Sequence, residues 1–103
     1  MKVLKTDQYN KWFRRLRDIS ARAKINARIR RIEVPNALMR DWKPVGGKVI
    51  ELRFDFGPGY RVYAHHRGQE LLLLLIGGDK SSQQADIRKA QELLELWEAQ
   101  DGR

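Results

Sequence analysis

The stretch ELRFDFGPGYRVYAHH, Glu51 to His66, decides the architecture. Ile50, Leu52, Phe54 and Phe56 alternate onto one side, and Val62 and Ala64 continue that side after Gly57-Pro58-Gly59. Glu51, Arg53 and Asp55 take the other side, with Arg61, Tyr63 and His65. Period-two alternation around a Gly-Pro-Gly turn predicts a β-hairpin. Pairing Phe56 with Tyr60 sets Asp55 against Arg61, Arg53 against Tyr63 and Glu51 against His65, with cross-strand neighbours about 5 Å apart. Six polar groups then share one short ribbon.

Outward from the hairpin, Met1 to Lys5 reads as a short strand. Asp7 is a candidate cap for a helix whose Tyr9, Trp12, Phe13 and Leu16 follow i, i+3, i+4, i+7 spacing. Ser20 is a candidate cap for a second helix with Ala21, Ile25, Ile29 and Ile32 on its core face, ended by Pro35. Pro44 and Gly46-Gly47 make 36–48 read as irregular. After the turn at Arg67-Gly68, the run Leu71 to Ile76 does not alternate, as expected of a strand covered on both faces. Ser81 and Gln84 match a capping box for a last helix with Ile87, Ala90, Leu94 and Trp97 on its apolar side. The expected fold is one α+β domain over 1–103, ordered β-α-α-β-β-β-α. Its sheet is mainly antiparallel, with helices on one face and the polar ribbon turned to solvent.

The 103 residues suffice for one modest core, and 42% hydrophobic residues are too many for a disordered chain. Cysteine is absent, which excludes disulfides and thiolate metal sites. The start, MKVLKTDQ, lacks the apolar region of a signal peptide, and Leu71 to Ile76 is too short to span a membrane. A soluble, cytoplasmic protein is expected. The net charge of +8, from 21 Lys and Arg against 13 Asp and Glu, suits a polyanionic partner or simple solubility.

Phosphate-binding glycine loops and nucleophile elbows are absent from the sequence. His65 and His66 are adjacent on a strand and point to opposite faces, so they are poor joint metal ligands, and no metal or other cofactor is expected. The ribbon itself suits phosphodiester chemistry on RNA, where the 2′-hydroxyl is an internal nucleophile. Cleavage then needs a base, an acid and cations for the charge that grows on phosphorus-bound oxygens. Arg53 and Arg61 fit the cation role, Glu51 or His65 the base, and Tyr63 or a lysine the acid. The same pattern also fits a solvent-exposed ladder of cross-strand salt bridges, each worth less than about 1 kcal/mol. Lys24, Arg28 and Arg31 along one flank of the second helix could bind nucleic acid or merely be solvated. Trp42, with Lys43 and Lys48 nearby, could stack on a base or anchor its loop. Trp12, Phe13 and Trp97 have helical spacing that points to core packing, and Asp79 fits a turn.

Several segments together resemble the addiction-module killer proteins, a HigB-like subgroup of the RelE/ParE toxin superfamily. They are Lys43-Pro-Val-Gly46, Glu51-Leu-Arg53, Gly57-Pro-Gly-Tyr-Arg-Val-Tyr63 and Leu74-Leu-Ile-Gly-Gly-Asp-Lys-Ser-Ser-Gln83, followed by Asp86-Ile87 and Ala90. The resemblance covers nearly the whole chain. It implies the small RelE-like α+β fold and a type II toxin neutralised by a cognate antitoxin, typically a helix-turn-helix protein. RelE-like members are mRNA endoribonucleases that act on the ribosome without a metal; ParE-like members inhibit DNA gyrase; an inactive antitoxin-binding module is a third possibility. Carried onto this sequence, Arg53 and Arg61 are the implied phosphate-contacting pair, and Lys80 follows from Gly-Gly-Asp-Lys. The tail from Glu98 to Arg103 has no Tyr or His, where several RelE-like enzymes place a catalytic one.

Overall fold

The caps of the first two helices lie one and two residues before those expected. In the computed structural model, which describes residues 1–36 and 39–100, helix α1 (Asp7–Arg15) is capped by Thr6. The Thr6 hydroxyl accepts from the Tyr9 amide at 3.0 Å and donates to the Leu75 carbonyl at 2.6 Å. A carboxylate there could accept but not donate, so the threonine joins helix start to sheet and Asp7 becomes the first helical residue. Helix α2 (Ile19–Glu33) is capped by Asp18, whose Oδ1 accepts from the Ala21 amide at 3.1 Å. Ser20 therefore lies inside the first turn. Pro35 follows the last helical residue, Glu33, by two positions, as its missing N–H requires.

Five strands form one sheet in the order β1-β5-β4-β3-β2: β1 (Lys2–Lys5), β2 (Trp42–Gly46), β3 (Val49–Arg53), β4 (Arg61–Arg67) and β5 (Leu71–Gly78). β1 runs parallel to β5, and every other pair is antiparallel. The fold is α+β with a mainly antiparallel sheet. Strand β2 lies in the segment expected to be irregular. Its Pro44 pairs with Ile50 at the sheet edge, where no partner needs the absent N–H, and a bulge between Pro44 and Gly46 absorbs the irregularity. Gly46, Gly47 and Lys48 all have positive φ, which makes the tight reversal into β3.

The hairpin pairs Arg53 with Arg61, Leu52 with Val62 and Glu51 with Tyr63. That is two residues from the expected register. A shift of two leaves every side chain on its expected face, because the strand period is two. The closing loop is longer than Gly57-Pro58-Gly59 and begins at Phe54, whose amide bonds the Tyr60 carbonyl.

Helices cover both faces, not one. Tyr9 of α1 and Ile25, Ile29 and Ile32 of α2 pack on Ile50, Leu52, Phe54, Val62, Ala64, Leu72 and Leu74. Helix α3 (Gln83–Gln100) brings Ala90, Leu93 and Leu94 against Val49, Tyr63, Leu73 and Leu75, with Ile87 and Trp97 at the margin. The polar ribbon therefore lies partly under α3. Two unalternating features required this second layer: β5 is apolar on both sides, and α3 carries an apolar stripe of its own. Gly77 and Gly78 admit the two layers closely. A Cβ on Gly77 would fall 2.4 Å from the Trp12 ring, and one on Gly78 would fall 1.8 Å from Oδ2 of Asp86.

Candidate functional site

Glu51 is 0% exposed and carries the site. Its Oε1 lies 3.4 Å from Nε of Arg53 and 3.7 Å from Nε of Arg61, and its Oε2 accepts from Nε2 of Gln83 at 3.0 Å. Both guanidinium groups thus meet the carboxylate through Nε. Arg61 is nearly buried and uses Nη1 on the Tyr60 carbonyl at 3.0 Å, whereas the Arg53 side chain is 46% exposed. Paired charges are the form in which ionised groups tolerate burial.

The Gly59 turn carries Arg61 toward Lys80. A Cβ at Gly59 would lie 3.2 Å from Lys80 Cβ and 3.5 Å from Nη1 of Arg61, so the lysine stem and the guanidinium flank that glycine. The Lys80 amide reaches the Pro58 carbonyl at 3.4 Å. An open recess of about 440 Å³ results, lined by Phe54, Asp55, Phe56, Pro58, Arg61 and Lys80 among others. Asp79 accepts from the amide of Ser81 at 2.8 Å and from its hydroxyl at 2.5 Å, and these bonds hold its carboxyl below the ordinary aspartate range. Asp79, not Ser81, is thus the cap that starts the 3-10 turn Lys80–Ser82 leading into α3.

Behind the arginines lies a second polar layer. The Tyr63 hydroxyl is buried without a hydrogen-bond partner, as are Glu51 Oε1 and Arg61 Nε. Burial, and then the Glu51 charge, push the Tyr63 phenol above its ordinary value. Ser82 donates to Oδ2 of Asp86 at 2.5 Å, and burial raises the Asp86 carboxyl despite that bond.

The residues expected to act together divide into groups. Glu51, Arg53, Arg61 and Tyr63 do share one side of the β3–β4 ribbon, opposite Leu52 and Val62, but α3 covers Glu51 and Tyr63 completely. Lys43 pairs with Glu51 and so belongs to the same side. His65 lies farther along β4, where Nδ1 donates to the Lys48 carbonyl at 2.8 Å. Lys48 itself pairs with Glu98 at 3.4 Å. Trp42 pairs with Leu52, so its side chain belongs to the other side of the sheet, where its ring meets His66 edge-on at 5.6 Å. Lys24 covers the Phe56 ring at 4.8 Å. Arg28 covers Phe54 at 4.6 Å and donates to the carbonyls of Arg53, Arg40 and Asp41, the last at 3.0 Å. Arg28 is a fastener between α2, the end of β3 and the chain before β2; Arg31 lines a recess beside it. Among the described residues, no cluster of three His, Cys, Asp or Glu side chains could hold a metal ion.

No family model matches the chain. An uncharacterized protein of Haemophilus influenzae is 42% identical to it over 93 residues, covering 90% of this chain and 92% of the relative. The chain belongs to the family of that Haemophilus protein.

Two residues take a place at the site that their sequence positions do not specify. Gln83 stood in the Leu74–Gln83 segment only as a neighbour of the supposed capping box, yet it touches the central carboxylate. Asp55, expected opposite Arg61 on the ribbon, lies exposed on the rim of the recess. The signal available for Gln83 was its place one turn after Gly77-Gly78, where a helix must pass close to the sheet.

Proposed function

We propose that the protein is the toxin of a bacterial type II toxin–antitoxin pair. In this reading it is a cytoplasmic mRNA endoribonuclease that needs no metal, works on the translating ribosome and is silenced by a cognate antitoxin. One observation supports it most. A single buried carboxylate lies beside Nε of both Arg53 and Arg61, and Arg61 lines an open recess together with Lys80. Guanidinium forks of this kind match the oxygens of a phosphodiester. The resemblance to RelE-like killer proteins rests on the same residues, and among the described residues no helix is long and apolar enough to cross a membrane.

The chemistry follows from the groups at the recess. Arg53 and Arg61 hold the scissile phosphate and take up the charge that grows on its non-bridging oxygens. The Asp55 carboxylate accepts the 2′-hydroxyl proton. The 2′-oxygen bonds to phosphorus, the bond from phosphorus to the 5′-oxygen breaks, and the Lys80 ammonium protonates that leaving oxygen. The products are a 2′,3′-cyclic phosphate and a 5′-hydroxyl. Glu51 serves as the anchor of the arginines; Tyr63, closed under α3, and His65, at the far end of β4, take no proton in this scheme.

The test is brief expression in bacteria, with intact mRNA and DNA damage scored together. Loss of mRNA with the parent and not with Arg61→Lys is expected, because lysine keeps the charge but lacks the fork. Intact mRNA with an SOS response would replace this reading by gyrase inhibition.

A further inference from the structure

We propose that Gln83 is a positioning residue, which orients the Glu51 carboxylate and through it both phosphate-holding arginines. The inference rests on the nuclease reading for its kinetic consequence, but its structural part stands alone.

The two ion pairs of Glu51, at 3.4 and 3.7 Å, are longer than the roughly 2.7–2.9 Å of a charge-assisted hydrogen bond. Neither Oε1 of Glu51 nor Nε of Arg61 has a hydrogen-bond partner. Charge attraction at such distances has little directional preference, so it holds the groups near one another without fixing the plane of the carboxylate. The contact from Gln83 at 3.0 Å is the short directional bond this carboxylate accepts from another side chain among the described residues. Its sense is unambiguous: an ionised carboxylate only accepts, so the amide must present its NH₂ group.

Gln83 is itself held from behind. It is the first residue of α3 and directly follows the turn started by Asp79. Ser82 bonds Asp86 at 2.5 Å, and the Asp86 carboxylate fills the space that a side chain at position 78 would need. A chain of contacts therefore runs from the end of β5 through the start of α3 to Glu51, and ends on the two guanidinium groups. Displacing the Gln83 amide frees the carboxylate to rotate, and both arginines then sample orientations in which their forks do not match one phosphate.

Gln83→Met keeps the length of the side chain and removes its donor; Gln83→Ala removes both. The control is Gln84→Met, on the exposed neighbour. Two readouts are needed. The first is side-chain NMR of the arginine Nε–H groups in the folded protein without RNA. The expected result is lower order and faster exchange for Arg53 and Arg61 in both Gln83 variants and no change in the control. Unchanged Nε–H signals in a folded Gln83→Met protein would overturn the proposal. The second is cleavage of mRNA on translating ribosomes in a purified translation reaction. A loss of about 10- to 100-fold in kcat with KM nearly unchanged is expected, the usual size for removing a group that orients an active residue. Equal loss in Gln84→Met would also overturn the proposal, since it would assign the effect to the helix start as a whole. A parent protein that cleaves no mRNA on translating ribosomes would defeat the nuclease reading and leave the NMR comparison to decide the role of Gln83.

Discussion

Arg53 and Arg61 stand directly opposite each other across β3 and β4, two like charges in one cross-strand pair. Such a pair repels on its own. Glu51, one step along the same side of β3, supplies the negative charge to both. The ribbon is thus a three-centre cluster built round a buried carboxylate, not a ladder of independent exposed salt bridges.

Removing the Glu51 charge should therefore cost more than a surface salt bridge does. Glu51→Gln keeps the shape but leaves Arg61 nearly buried without a counter-charge. A loss of about 3 kcal/mol in unfolding free energy is expected from denaturant titration, the size typical of breaking a buried pair. A loss below about 0.5 kcal/mol would restore the exposed-ladder description.

Arg61 and Arg53 should differ when truncated. Arg53→Ala removes a half-exposed group and should leave stability within about 1 kcal/mol while reducing RNA cleavage about 100-fold or more. Arg61→Ala should lose both activity and stability, because it strips a buried partner from Glu51. Paired melting curves and cleavage rates on the two variants check this asymmetry.

Tyr63→Phe should retain cleavage, since the hydroxyl lies under α3. At neutral pH it should be neutral or slightly stabilising, because a buried hydroxyl without a partner is removed. The sign at alkaline pH follows from linkage. The folded phenol is held above its ordinary value, so its contribution is fully present below the unfolded value near about pH 10 and is lost as pH rises beyond it. Stability measured from pH 8 to 11 should fall less steeply in Tyr63→Phe than in the parent. Some alkaline loss should persist, since burial raises Tyr9 as well.

Gly78→Ala should destabilise by about 1–3 kcal/mol through overpacking against Asp86. Because the closest clash is with the Asp86 carboxyl, Gly78→Ala combined with Asp86→Ala should cost clearly less than the sum of the two changes. Denaturant midpoints for the four proteins of this cycle provide the check, and strict additivity would contradict the close approach.

Much of the architecture was legible because it depends on local periodicity. The alternation of Leu52, Phe54 and Val62 against Glu51, Arg53 and Arg61 set the faces of the hairpin, and the two-residue change of register left them intact. The stripe Ala21, Ile25, Ile29 and Ile32 is the buried side of α2 as its spacing requires. Strand β2 was hidden because Pro44 and the glycines carry breaker signals whose meaning depends on being at a sheet edge. The tertiary structure alone decided that α3 would close over the polar side of the ribbon. No period in the hairpin encodes what packs on it; that depends on the apolar stripe of α3, the small volume of Gly78 and the reach of Gln83 from a distant part of the chain. That closure turns Glu51 from an exposed candidate base into a buried anchor, removes Tyr63 from solvent and leaves Arg53 and Lys80 exposed, because burial is a property of the assembled layers and not of the residues that are buried.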